Sequence, residues 1–183
     1  MPSESVALGL KKGGVLCLLR SGDALLLMRR AKALHHGQYV PVGGHIEPFE
    51  SPRAAALREV REEAGVCLEG AAYCGVLVET SPTKYNWVTF IYLAEVERFA
   101  PPACVEGTLE WIEIDRLSEV PIPPPDAHIY RLALAGQPFA LDATYDADLN
   151  LLSMREEISG RELVRASLGG AGSSGAIVGG DAE

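Results

Sequence analysis

Between positions 50 and 63 the chain places Glu50, Arg58, Glu59, Glu62 and Glu63, just after a glycine pair, Gly43-Gly44. On a helix, residues three and four apart share a face, so Glu59, Glu62 and Glu63 would project together. Like charges on one ridge repel, and a hard divalent cation with oxygen ligands, such as magnesium, offsets that cost. A cation held this way suits attack on a phosphoanhydride. Such a linkage is heavily anionic, and water attacks it slowly unless charge is neutralised and the nucleophile is positioned. The plain alternative is a solvated, glutamate-rich helix face.

The flanking residues predict the element that carries these groups. Ser51 suits a helix N-cap and Pro52 the first helical position. Gly65 suits the end, where positive φ is needed. Between them Leu57, Val60 and Ala64 form an apolar stripe at helical spacing, with Ala54 and Ala56 allowing close approach. One helix thus anchors itself by one side and presents carboxylates on the other.

The segment resembles the Nudix box, G-x5-E-x7-R-E-U-x-E-E-x-G-U with U apolar. Gly44, Glu50, Arg58, Glu59, Val60, Glu62, Glu63, Gly65 and Val66 match it without exception. The resemblance implies an α/β/α sandwich with a mixed central sheet, and hydrolysis of a nucleoside diphosphate linked to another group. It implies Mg2+, with Mn2+ as a substitute, held by Glu59, Glu62, Glu63 and the Gly43 carbonyl. It also implies a structural ion pair between Glu50 and Arg58. The general base is open between Glu62 and Glu63, with Glu110 a further carboxylate. Glu106-Gly-Thr-Leu-Glu110-Trp111 resembles the glutamate-tryptophan strand of nucleoside triphosphate-cleaving members, and Glu110 is preferred over Glu106 because it adjoins Trp111.

For substrate contacts, the resemblance to triphosphate-cleaving members implies an arginine at the end of the second strand on substrate phosphate, where a guanidinium can fork onto oxygens, and Arg29 is chosen over Arg30. Gly44, Tyr39 and Asp126 complete the set, and Trp87 and Trp111 are further aromatic candidates, although each is more often a core residue. The nearest resemblance is to the MutT-like, 8-oxo-dGTP diphosphatase-like subgroup. Pro124 stands near the place of that subgroup's base-stacking tryptophan, and residues 38–42 lack its asparagine, so selectivity for oxidised purines does not follow. The expected reaction is nucleoside triphosphate to monophosphate and pyrophosphate. The alternatives are ADP-ribose or another nucleoside diphosphate derivative and, in a different class, a non-catalytic nucleotide-sensing module.

A chain of 183 residues with 48% hydrophobic content can form one well-packed domain. Net charge −9 argues against a nucleic-acid polymer as partner, and hence against RNA decapping. Cys17, Cys67, Cys74 and Cys104 lack metal-binding spacing and read as core thiols of a reducing compartment. With no membrane-spanning run or signal peptide, a cytoplasmic location is expected. A homodimer enters only by analogy with the family.

Apolar runs predict strands at 15–19 and 24–28, joined as a hairpin, then at 38–42, 72–79, 87–96 and 108–114. A helix is expected over 126–135 and a terminal hairpin over 139–144 and 149–153. The division is an N-terminal arm at 1–12, the hydrolase domain at 13–152, a helical extension at 153–168 and a flexible tail at 169–183.

Overall fold

Apolar residues without alternation dominate the first two strands because both of their faces are covered. In the computed structural model, which describes residues 9–32 and 34–165, β1 (Lys12–Ser21) and β2 (Ala24–Arg30) form an antiparallel hairpin. Val15, Cys17, Leu19, Leu26 and Met28 pack on one side of the sheet, and Leu18, Leu25 and Leu27 on the other.

β3 (Tyr39–Val40) and β4 (Val42–His45) lead into α1 (Pro52–Glu59). Then come β5 (Ala72–Thr80), β6 (Trp87–Glu95), β7 (Gly107–Glu113), a 3-10 helix (Ile114–Glu119), α2 (Pro124–Leu134), β8 (Phe139–Tyr145), β9 (Leu151–Glu156) and β10 (Arg161–Arg165). One mixed sheet runs in the order β10-β9-β8-β5-β6-β1-β2-β3, with β4 also paired to β1 and β7 to β2. Alanines 55 and 56 of α1 pack into the first core and Ile129, Tyr130, Leu132 and Ala133 of α2 into the second. The helices therefore cover opposite faces, giving the expected α/β/α layering.

Register brings five strand termini together. Lys12 of β1 lies beside Trp87 of β6, and Trp87 lies opposite Glu79 of β5. Thr80 of β5 pairs with Thr144 of β8, and β2 returns antiparallel to β1, ending at Arg30. The functional cavity opens at this end of the sheet.

Two expectations change. The stretch assigned to a helical extension instead completes β9, which starts within the expected strand 149–153, and forms β10. Gly160, at φ 70°, turns the chain, and the Glu156 carboxylate accepts from the N–H groups of Ala140, Ile158 and Ser159, tying the hairpin to β8. These bonds hold the Glu156 pKa down to about 2. The cysteines are all free, but only Cys17 is a fully buried core thiol, whereas Cys67 is exposed. Most of the predicted N-terminal arm and the whole predicted tail lie outside the described residues. Among the described residues, no helix is long and apolar enough to cross a membrane.

Candidate active site

The box begins with a capped helix. Ser51 Oγ accepts the Ala54 N–H at 3.2 Å, and Pro52 occupies the first turn. The winding widens to a π turn over Val60–Ala64 and stops at Gly65, φ 71°. Burial of Ala55, Ala56, Val60 and Ala64 seats this element on β1 and β4, while Leu57 is only partly buried. Small side chains bring the helix backbone close to the sheet. The glycine pair is needed for the same approach: a β-carbon on Gly43 would overlap the Val15 carbonyl oxygen, and one on Gly44 would overlap the Glu59 carboxylate.

Arg58 is the hub of the charged network. Its Nε and Nη2 each donate to Glu50 at 3.0 Å, Nη1 reaches Glu59 at 2.9 Å and Glu62 at 3.2 Å, and Nη2 also donates to the His45 carbonyl at 2.9 Å. The fork to Glu50 holds the guanidinium's pKa above its usual value and lowers that of the Glu50 carboxyl. The network also braces the loop that carries the glycines.

A cavity of about 490 Å3 opens beside it. Of the residues chosen from sequence, Gly43, Gly44, Arg58, Glu59, Glu63 and Asp126 line it. Arg29, Tyr39, Glu62 and Glu110 do not. Strand alternation explains two of these. Arg29 is exposed, whereas Arg30 shares the face of buried Met28 and lines the cavity. Glu110 stands opposite Leu27, on the α2 side of the sheet, and accepts the Tyr39 hydroxyl at 3.2 Å. Glu106, preceding β7, lines the cavity instead and pairs with Lys32. Tyr39 packs in the α2-side core, Trp111 packs on Phe99, and Glu62 is 53% exposed on the helix flank. Glu50 and Gly65 act from outside the lining, through Arg58 and the helix end.

Glu63 is buried and accepts the Gly43 N–H at 2.9 Å. Burial, offset in part by that bond, pushes its pKa up to about 7, with the Glu59 and Glu106 charges adding to the effect. Among the described residues, no three acidic, histidine or cysteine side chains converge as a ready-made metal cage. The carboxylate oxygens of Glu59 and Glu63 on the cavity wall are nevertheless hard donors, and among the described residues Glu63 makes no salt bridge. That donor chemistry fits a hard cation completed by other oxygen ligands.

In the other half of the cavity, sequence reading picked out Asp126 and Trp87 but missed Glu79 and its tyrosine partners. Glu79 at the end of β5 and Asp126 at the start of α2 are each 6% exposed. Glu79 Oε1 accepts the hydroxyls of Tyr85 at 2.9 Å and Tyr145 at 2.8 Å, and Asp126 Oδ2 accepts that of Tyr130 at 3.2 Å. Burial, then the neighbouring Glu79 charge, pushes Asp126 up to about 8, against the Tyr130 bond. The one signal available in sequence was a lone carboxylate ending the apolar run 75–78. Its partners are Tyr85, six residues on across the turn, and the distant Tyr145.

A mixed sheet between two helices, with a glycine loop leading into a glutamate-bearing helix, defines a class of phosphoanhydride hydrolase. The family model described as "NUDIX domain" matches residues 10–133, and the chain belongs to this family. An uncharacterized Nudix hydrolase, YvcI of Bacillus subtilis (strain 168), is 28% identical over 145 residues, covering 76% of this chain and 90% of that protein. The m7GpppN-mRNA hydrolase NUDT17 of Danio rerio is 38% identical over 141 residues, covering 66% of this chain but only 47% of its own. Among solved structures, a MutT protein from Bacillus halodurans superposes with a TM-score of 0.72 at 24% identity, covering 80% of this chain and 98% of that one, a likeness of fold. The protein is thus a Nudix hydrolase, an enzyme of a family that acts on diphosphate linkages of nucleotide-like substrates and generally uses divalent metal ions.

Proposed function

We propose that this enzyme hydrolyses a nucleoside triphosphate to the monophosphate and pyrophosphate, with Mg2+ as its ion and Mn2+ as a substitute. The observation that carries the reading is Arg30. Its Nε is buried and has no hydrogen-bond partner among the described residues. Its charge is felt both by Glu63 at the box and by Tyr85 near Asp126. A guanidinium placed between these two regions suits a phosphate chain whose one end meets the box and whose base lies toward α2.

Glu59 and Glu63 would hold the ion, with Gly43 supplying main-chain oxygen and Glu62 contributing from the flank. The bound ion would neutralise phosphate charge and acidify water. Within the chain, Glu63 Oε2 is fixed by the Gly43 N–H, which leaves Oε1 to accept a proton from the attacking water. Arg58 holds Glu59 and the glycine loop in place, and Arg30 with Lys32 would receive the phosphates. Water's hydroxide adds to the α-phosphorus as the bond to the bridging oxygen breaks, and pyrophosphate leaves.

The net charge of −9 keeps polymeric RNA an unfavourable substrate. The test is a panel of nucleoside triphosphates, ADP-ribose, dinucleoside polyphosphates and capped RNA with magnesium, with products separated by chromatography. Pyrophosphate and monophosphate from triphosphates are expected. AMP with ribose phosphate from ADP-ribose alone would replace this reading, and binding without turnover, with manganese also tried, would indicate a sensor.

A further inference from the structure

Backbone bonds from the Arg30 N–H to the Gln38 carbonyl and from the Gly37 N–H to the Arg30 carbonyl close the connection between β2 and β3. Arg30, Lys32, Leu34 and His35, all from this part of the chain, line the cavity. His35 stands there with a left-handed backbone, φ 62°, which a residue with a β-carbon rarely adopts. Two contacts fix its ring. Nδ1 lies 2.8 Å from Gln38 Oε1, and the ring meets that of Tyr85 edge-on, with centroids 6.5 Å apart. An amide oxygen only accepts, so the proton of neutral His35 sits on Nδ1 and Nε2 carries a lone pair. Among the described residues no hydrogen bond reaches Nε2, and the only unpartnered buried side-chain atom is Arg30 Nε, so this nitrogen is open to solvent.

We propose that His35 is a specificity-determining residue whose Nε2 accepts a hydrogen bond from a ribose hydroxyl, with Gln38 as the positioning residue that sets its tautomer. This rests on the proposed nucleotide reaction and deepens it. The sugar of a nucleotide lies between its phosphates and its base. His35 shares its connection with Arg30 and Lys32, the cations of the phosphate side, and its ring packs on Tyr85, whose hydroxyl sits on Glu79 of the α2 side. That intermediate position matches the sugar. The chemistry agrees: a nitrogen lone pair suits a hydroxyl donor and offers nothing to an ionised phosphate oxygen, which only accepts.

The test crosses sugar changes with enzyme changes. Wild type is assayed with magnesium on ATP and GTP, each with its 2′-deoxy and 3′-deoxy forms. Loss of the hydroxyl that His35 reads should lower kcat/KM about 10-fold, chiefly through KM. His35→Phe keeps a ring against Tyr85 but has no nitrogen, so the preference should fall to within about 2-fold of unity. Gln38→Ala frees the ring to take its other tautomer and should lower the preference about 2–5-fold. If the phenylalanine variant does not fold, His35→Gly, which suits the left-handed backbone, replaces it with the same expectation. Equal kcat/KM for the ribose and both deoxy forms in wild type overturns the proposal, as does a folded His35 variant that keeps the full preference; in both cases the reaction itself stands. Full preference in a folded Gln38→Ala overturns the positioning role. A wild type that cleaves none of these nucleotides removes the proposed reaction, and this inference with it.

Discussion

The cavity has carboxylates at both ends, and their partners differ. At the box, Glu50, Glu59 and Glu62 all contact one arginine. On the α2 side, Glu79 and Asp126 are bonded directly to tyrosine hydroxyls. An arginine compensates the negative charge of the carboxylates around it. A hydroxyl supplies a hydrogen bond but no net charge, so burial favours protonation in one member of the pair. The same residue types therefore have opposite duties toward their neighbours: to balance a guanidinium at one end and to accept hydroxyl hydrogen bonds at the other.

The largest effect should come from the box. Glu59→Gln or Glu63→Gln should reduce hydrolysis by roughly 10²–10³-fold, the loss expected when a group that stabilises transition-state charge is neutralised. Glu62→Gln should cost less, since Glu62 lies outside the cavity on the helix flank. Pyrophosphate release on folded variants measures this. Equal losses at all three positions would mean that the π turn rearranges to bring Glu62 inward.

The two ends also differ in how far sequence revealed them. Glu59, Glu62 and Glu63 sit in one stretch of helix, so covalent spacing alone gathered them, and Ser51 and Gly65 marked that helix's limits. Glu79, Arg30, Asp126 and Tyr145 come from the ends of β5, β2, α2 and β8. Nothing in the chain says that these termini share one end of a sheet until strand pairing is known. Arg30 and Glu106 rather than Arg29 and Glu110 line the cavity for a related reason: each choice turned on which face a strand presents, which depends on its register. Strands β1, β2, β5 and β6 were legible because apolar runs announce burial. Of the β9–β10 hairpin only the start of β9 was legible, in the expected strand 149–153; β10 was not, because charged residues surround Leu163 and Val164, which are only half-buried.

A pH experiment probes the second duty. Asp126's folded pKa is raised, from an ordinary 3.8 to about 8. Its contribution to stability is therefore fully present below about pH 4 and is lost as pH rises through about 8. Asp126→Asn cannot ionise, so it should flatten the stability curve over that window. Relative to pH 4.5, wild type should lose on the order of 4 kcal/mol more than the variant by pH 8.5. Urea denaturation at the two pH values compares them, with Glu63 and the other titrating groups common to both proteins. Parallel losses would show that Asp126 ionises normally and would remove the contrast between the two ends.

The smallest effect concerns backbone rather than charge. Leu34, His35 and Phe49 all have positive φ, near 64°, 62° and 67°; Leu34 and His35 line the cavity, and Phe49 precedes Glu50 in the box loop. No such residue occurs within β5, α2 or β8. The Phe49 side chain is fully exposed and has no packing to lose. A left-handed conformation costs an ordinary residue about 1–2 kcal/mol, and glycine avoids this while adding about 0.5–1 kcal/mol of unfolded-state entropy. Phe49→Gly should therefore stabilise the protein by up to about 1 kcal/mol, raising Tm by about 2–4 °C at most. If hydrolysis is unchanged while Tm rises, Arg58 alone suffices to position Glu50. If activity falls although Tm rises, the stiffness of this strained turn also helps to keep the box in register.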